Sequence, residues 1–324
     1  MFGAAATFQI ARQNSGGTAT TNMTSFHPVP FFGESIQTEI AEIGFDSMRG
    51  RFDEWETRQG MISVAGDVSF RPQPEVLPAF FYGLTGTISS TAVGSATRHI
   101  FMPTQDEFGP DLDLVPWTVE LFKDNQLAYQ YMDGQINRLA LECRGGQLLQ
   151  ATANIMARTS SGKAETTPTY RTGTEWAWNQ ASVSLGGQAY PNLETVTFTF
   201  DNALEFVPLL NGTQFASRIK RGGFRTLRIA GTLDLPVTSG FGLWDDFRTG
   251  TQRQLIVTWT QGTAISSGWF HTVQIDIPIF RFSRWQAAAG NPGRITAAFD
   301  GRAVFSTGSN TLFQLSVVNS WVSY

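Results

Sequence analysis

The stretch ISVAGDVSF at residues 62–70 returns as LRIAGTLDL at residues 227–235, an offset of 165. Ala65-Gly66 falls on Ala230-Gly231, and both stretches alternate apolar with polar residues, the period of a strand with one buried face. Each leads into a short helical candidate, Leu77–Leu84 with Pro78 near its first turn and Leu243–Phe247. These run out at glycines in FYGLTG (81–86) and DDFRTG (245–250). An aromatic-rich strand follows in each half, WTVELF at 117–122 and QLIVTW at 254–259. Each half closes on an alternating strand, 149–157 and 295–303. Upstream, SIQTEIAE at 35–42 corresponds to LETVTFTF at 193–200. Identity between the halves is low, so the pattern reads as an old duplication of one β fold, not a short solenoid repeat.

The expected organisation is an N-terminal arm at 1–30, a first domain at 31–158, a linker at 159–175 and a second domain at 176–324. The linker reading rests on TSSGKAETTPTYRTGTE, which is rich in Ser, Thr and Gly. A chain of 324 residues buries enough apolar surface to fold without disulfides, and its single cysteine, Cys143, excludes an internal one. Aromatic residues at 13% argue against disorder. A net charge of -4 argues against a protein built to grip nucleic-acid phosphates. The start, MFGAAATFQIARQ, lacks the basic and apolar regions of a secretory signal, and no apolar run reaches membrane-spanning length. The expectation is synthesis in the cytoplasm, with no membrane anchor.

Chemistry-bearing motifs are scarce. His27, His99 and His271 have no second histidine at ligand spacing. Asp111 and Asp113 lie beside Pro110 and Pro116 and read as solvated loop acids. Asp53, Glu54 and Glu56 sit in a charged loop around Trp55 and lack the geometry of a glycosidase pair. Ser160-Ser161-Gly162-Lys163 lacks the leading glycine of a phosphate-binding loop, because Ala157 stands there. Cys143 reads as a small packed residue. No enzyme activity, cofactor or metal is expected.

The order of motifs carries a resemblance. RHIFMP (98–103), PWTVELFKD (116–124), YQYMDGQINRLALE (129–142) and GQLLQATANIMA (146–157) fill the first half. The second half carries WAWNQASVSLGGQAYPNLETVTFTFDNALE at 176–205, with its linked tryptophans, GG turn and closing "DN". This ordered set resembles the tail tube proteins of phages with long, non-contractile tails (siphoviruses). The resemblance implies a mainly β fold of two tandem tail-tube-type β-sandwich or barrel domains, each with a short helix. It implies a structural virion protein whose rings stack into the tail tube, the conduit for genome ejection. Single-domain members resemble subunits of hexameric rings, so a duplicated chain is expected to form homotrimeric, pseudo-hexameric rings. The implied partners are further copies, the tape-measure protein, the tail terminator and the baseplate or distal tail proteins, with double-stranded DNA passing unbound.

A bore that lets DNA slide needs few exposed cations, since each would hold a phosphate. On that expectation the lumen candidates are Gln37, Glu39, Asp67, Thr195, Thr197, Thr199, Asp234 and Asp300, on the polar faces of the alternating strands. Arg158, Arg228 and Arg302 do not fit and are expected near strand ends. Two long connections, about 43–61 and 201–225, are candidates for contacts between subunits. Acids prevail in the first (Asp53, Glu54 and Glu56 around Trp55) and bases in the second (Arg218, Lys220 and Arg221 near Phe215), which suggests complementary partners. Polar strand faces and charged loops also simply meet solvent in many β proteins. A carbohydrate-binding or adhesin module, with exposed tryptophan platforms, shares this composition, and a tail terminator or adaptor ring protein shares the fold type.

Overall fold

The computed structural model describes residues 5–16, 23–45, 50, 53, 56–124, 128–171, 173–190, 192–235, 240–288 and 295–324. The first half contains β1 (Thr7–Arg12), β2 (His27–Pro28), β3 (Phe31–Glu34), β4 (Gln37–Gly44), β5 (Thr57–Phe70), α1 (Leu77–Thr85), β6 (Ser89–Val93), β7 (Ala96–Phe101), β8 (Trp117–Phe122), β9 (Ala128–Arg144), β10 (Gln150–Ala157) and β11 (Thr159–Lys163). The second contains β12 (Ala181–Leu185), β13 (Gln188–Ala189), β14 (Leu193–Asp201), β15 (Leu204–Val207), β16 (Arg218–Arg221), β17 (Thr226–Asp234), α2 (Gly240–Thr249), β18 (Arg253–Ser266), β19 (Trp269–Ala288), β20 (Thr296–Ala303) and β21 (Gln314–Asn319). The fold is mainly β with two short helices, as the alternation implies.

One long antiparallel sheet runs through both halves. β3 and β4 pair with β5, β5 with β10, and β10 with the C-terminal part of β9. β9 then pairs with β14, β14 with β17, β17 with β20, and β20 with the C-terminal part of β19. The N-terminal parts of β9 and β19 leave this sheet and enter two cover sheets. The first cover sheet runs β2, β1, β8, β9, β11. The second runs β13, β12, β18, β19, β21, β7, β6. The same order of pairings thus occurs twice: β4–β5–β10–β9–β8–β1 and β14–β17–β20–β19–β18–β12. The long sheet does not close into a barrel within the chain.

β9 changes sheets at Asp133 and Gly134, where Asp133 takes φ 54 and the pairing with β8 slips by a residue. Strands that bend from one sheet into another do so at such irregularities. Two contacts hold the corner. The Asp133 amide donates to Gln13 Oε1 at 3.0 Å, and Arg158 Nη1 donates to Asp133 Oδ2 at 3.2 Å.

The main core cluster spans both halves. It includes Phe8, Val68, Phe70 and Leu139 from the first and Phe198, Ile229, Val257 and Phe299 from the second. α1 sits inside it, with Phe80 stacked on Phe70 at 4.4 Å between centroids. Neither the sheet nor the core therefore breaks between the halves. β1, within the stretch read as an arm, is a cover-sheet strand with Phe8 and Ile10 in the core. Ser160–Lys163, in the stretch read as a linker, belongs to β11, and Lys163 pairs with the fully buried Glu120 at 2.7 Å. The low apolar content of 159–175 hid this, because its contacts are hydrogen bonds: Gln9 Nε2 to the Thr166 carbonyl, the Thr166 amide to Glu120 Oε1, and Thr174 to Gln261.

Candidate functional site: the polar face of the long sheet

Along the central strands of the long sheet, residues alternate between core and solvent. Val196, Phe198 and Phe200 of β14 point inward, as do Leu227, Ile229 and Leu233 of β17. Thr195, Thr197 and Thr199 face the other way, opposite Thr232, Ala230 and Arg228. The register carries this face across the sheet. Ala230 and Thr232 lie opposite Asp300 and Ala298, and Asp234 lies opposite Thr296. On the other flank Thr199 and Thr197 lie opposite Ala140 and Glu142, and Ala140 lies opposite Thr152. Thr152 and Asn154 face Ser69 and Asp67, while Gln37 and Glu39 face Ala65 and Ser63. All eight lumen candidates, Gln37, Glu39, Asp67, Thr195, Thr197, Thr199, Asp234 and Asp300, therefore share one face of one sheet.

Side chains on this face bind each other. Thr195 and Thr232 hydroxyls meet at 2.8 Å, and Ser69 and Thr152 at 3.0 Å. Asn154 Nδ2 donates to Asp67 Oδ1 at 2.8 Å, and Gln37 Nε2 to Glu39 Oε1 at 3.1 Å. Charge is nearly balanced, with Glu39, Glu42, Asp67, Glu142, Asp201, Asp234 and Asp300 against Arg138, Arg144, Arg228, Arg281, Arg284 and Arg302. Arg284 reaches Asp300 at 3.6 Å. Arg228 and Arg302 lie directly opposite each other towards one end of their strands. Arg158 is off the face, bound to Asp133 and, at 3.7 Å, to Asp111. Sequence reading missed Arg138, Glu142, Thr152 and Asn154. Their alternation was visible, but the long-sheet role of β9 depends on its bend.

The two long connections differ. β4 projects with all eight residues exposed, and Asp53 and Glu56 beyond it are exposed. Glu54 and Trp55 lie outside the described residues, as do the other charged residues of that loop at 46, 49 and 51. The second connection folds back on the first half. Its β15–β16 hairpin packs Leu204 and Ile219 against Leu112, Leu114 and Met156, and the Ile62 amide donates to the Gln214 carbonyl beside half-buried Phe215. Arg218 binds Asp111 at 3.2 Å. Lys220 binds Glu107 at 2.7 Å and Asp113 at 3.0 Å. The Arg221 amide donates to Asp113 Oδ2 at 2.8 Å. The basic charges of Arg218 and Lys220 are thus paired inside the chain. Asp111 and Asp113, read as solvated, are their partners, and Asp113 is buried.

The "DN" motif has a structural task. Asp201 Oδ1 accepts the Ala203 amide at 2.7 Å. Asn202, fully buried, donates to the carbonyls of Leu84 and Ile136 and accepts from Arg225 Nε at 2.7 Å. It ties the end of α1 and the bend of β9 to the end of β14. Two histidines are likewise structural: burial lowers the imidazole of His99, which sits between Ser90, Asn319 and the Trp321 carbonyl. Burial, helped by the Arg171 charge, lowers His27 to about 4. Cys143 is buried, and burial raises its thiol. Among the described residues no group of three or more His, Cys, Asp and Glu could hold a metal ion, and no helix is long and apolar enough to cross a membrane. A groove of about 400 Å³ lies between β14 and β12, lined by Trp178, Trp259, Tyr190 and Cys143. Its lining is mainly apolar and presents no pair of facing carboxylates.

No protein of curated function matches the chain. A family described as phage tail tube protein matches residues 3–303, nearly the whole length. The match, joined to a long β sheet with one uncovered polar face, means that the chain belongs to the phage tail tube protein family, a structural family of the virion tail.

Proposed function

We propose that this chain polymerises as stacked rings into the tail tube of a phage with a long, non-contractile tail, and that the polar face of the long sheet lines the bore. The observation that carries this reading is the shared face of Gln37, Glu39, Asp67, Thr195, Thr197, Thr199, Asp234 and Asp300. It is rich in hydroxyls, its arginines are offset by a similar number of acids, and no helix covers it among the described residues, so a nearly neutral wall would let double-stranded DNA slide. The twice-used pairing order supports descent from a duplicated tube domain. Two such units per chain favour homotrimeric, pseudo-hexameric rings.

In this reading the exposed strand β4 and the acidic stretch that follows it in sequence, with Asp53, Glu54, Trp55 and Glu56, make contacts between subunits. The pinned second connection, with Phe215, Arg218, Lys220 and Arg221, gives each subunit a fixed shape for that contact. The tape-measure protein fills the bore before DNA does. The terminator and the distal tail proteins cap the ends. Electron microscopy of the purified protein in negative stain tests the proposal. Rings or tubes are expected, and monodisperse single particles at high concentration would sink it. A terminator or adaptor ring would instead appear in only a few copies per virion, which quantitative gel analysis of the particle distinguishes.

A further inference from the structure

The second connection carries four bases, Arg218, Lys220, Arg221 and Arg225, and the fold neutralises two of them. Arg218 and Lys220 are ion-paired with Asp111, Glu107 and Asp113. Arg221 and Arg225 instead line one pocket of about 260 Å³, together with Pro103, Phe224, Phe305 and Leu312. Three of their guanidinium nitrogens, Arg221 Nε and Nη2 and Arg225 Nη2, are buried and have no hydrogen-bond partner among the described residues. We propose that Arg221 and Arg225 form a binding site for a carboxylate carried on an apolar group.

The donors are arranged for that group. Nε and Nη2 lie along one edge of a guanidinium and match the two oxygens of a carboxylate, so Arg221 offers a complete fork. Arg225 is held in place by its other two nitrogens. Its Nε donates to Asn202 Oδ1 at 2.7 Å and its Nη1 to the Thr104 carbonyl at 3.2 Å, which leaves Nη2 for a ligand. The acid that bears on Arg225 is committed elsewhere: Asp113 pairs with Lys220 through Oδ1 and accepts the Arg221 amide at Oδ2. Burial and the neighbouring Arg221 charge lower Arg225 to about 9, against a smaller upward pull from Asp113. Buried charged donors without a partner destabilise a fold, and a bound anion relieves them.

The rim decides the class of anion. Phe224 is 95% exposed and Phe305 46% exposed beside these cations. A phosphate is strongly hydrated and gains nothing from phenyl rings, whereas a carboxylate on an apolar or aromatic group covers them. Two sources offer that chemistry. One is an acidic side chain next to an aromatic one on a second copy, as in Phe52-Asp53-Glu54-Trp55-Glu56. The other is a free aromatic acid.

Calorimetric titration of the full chain tests the site, and it needs no assembly, so its outcome stands apart from that of the tube reading. The probes are phenylacetate, inorganic phosphate and a peptide of residues 52–56, compared at matched ionic strength. Phenylacetate or the peptide is expected to bind and to raise the melting temperature, and phosphate is not. Arg221→Gln is expected to weaken that binding by about tenfold or more. It is also expected to keep the melting temperature of the free protein, because the side chain it removes carries two unpartnered donors and the amide still reaches Asp113. Phe224→Ala is expected to weaken phenylacetate binding with the fold unchanged, since the ring is exposed. A peptide that binds more tightly than phenylacetate, and more tightly than its amide form (Asp53→Asn, Glu54→Gln, Glu56→Gln), assigns the site to an acidic protein segment. Binding of phenylacetate alone assigns it to a free acid. No carboxylate-dependent binding, tighter binding of phosphate, or equal binding by Arg221→Gln would overturn the proposal.

Discussion

Gly66 and Gly231 show why the repeat is legible at all. A Cβ on Gly66 would collide with the backbone of Ser35 and Ile36, and one on Gly231 with the carbonyl of Thr195. In each half the preceding strand crosses against the glycine and a hydroxyl caps the crossing. The Asp67 amide donates to Ser35 Oγ at 3.0 Å, and the Thr232 amide to Thr195 Oγ1 at 3.1 Å. Backbone cannot step aside as a side chain can, so Gly66→Ala and Gly231→Ala are each expected to cost about 1–3 kcal/mol in urea denaturation. Arg228 and Arg302 are expected to behave oppositely. They face each other across β17 and β20, and among the described residues neither has an ion-pair partner. Like charges directly opposed destabilise a sheet, so Arg302→Thr is expected to raise the melting temperature, by about 0.2–1 kcal/mol of stability. His27 predicts a pH effect. Its folded-state pKa of about 4 lies below the ordinary 6.5, so between those values the unfolded chain takes up the proton and the folded chain does not. The contribution is complete above about pH 6.5, falls away as pH drops, and levels off near 4, at most about 3 kcal/mol. Denaturation curves at pH 7 and pH 5 check this, and His27→Gln is expected to lose part of the difference.

At the scale of elements, the helices were legible and the bends were not. Pro78 near the first turn and Gly86 at φ 81 bracket α1, and both signals are local. β9 and β19 are each one continuous strand, yet each belongs to two sheets. The switch at Asp133 depends on Gln13 and Arg158, far away in sequence. The second connection is similar. Charge counting found its bases, but only the fold brings Asp111 and Asp113 to Arg218 and Lys220. Because Asp113 is buried and also accepts the Arg221 amide, Asp113→Ala is expected to cost about 2–3 kcal/mol. Glu107 remains to partner Lys220, so the loss falls short of that for an isolated buried pair. Equilibrium unfolding measures it.

For the whole molecule, the proposed bore gives a prediction about transport. Thr197 and Ala230 face each other on the polar face, away from the core. Thr197→Lys is expected to leave folding and tube assembly intact. It would place one added cation per chain on the wall and slow genome ejection from assembled particles, most strongly at low salt. Ejection followed by a DNA-binding dye measures this, and an unchanged rate would argue that another face lines the bore. The sequence by itself determined the strand period, the two helices, the polar and apolar faces of the repeated alternating strands, and the family. These follow from periodicity, glycine placement and motif order, which a linear pattern records. Only the tertiary structure decided that β14 pairs with β9, so that one sheet and one core run through both halves. It alone decided that, among the described residues, β4 has β5 alone beside it. Pairing between strands distant in sequence is chosen by competition among many edges of similar composition, and that competition is resolved by packing in three dimensions.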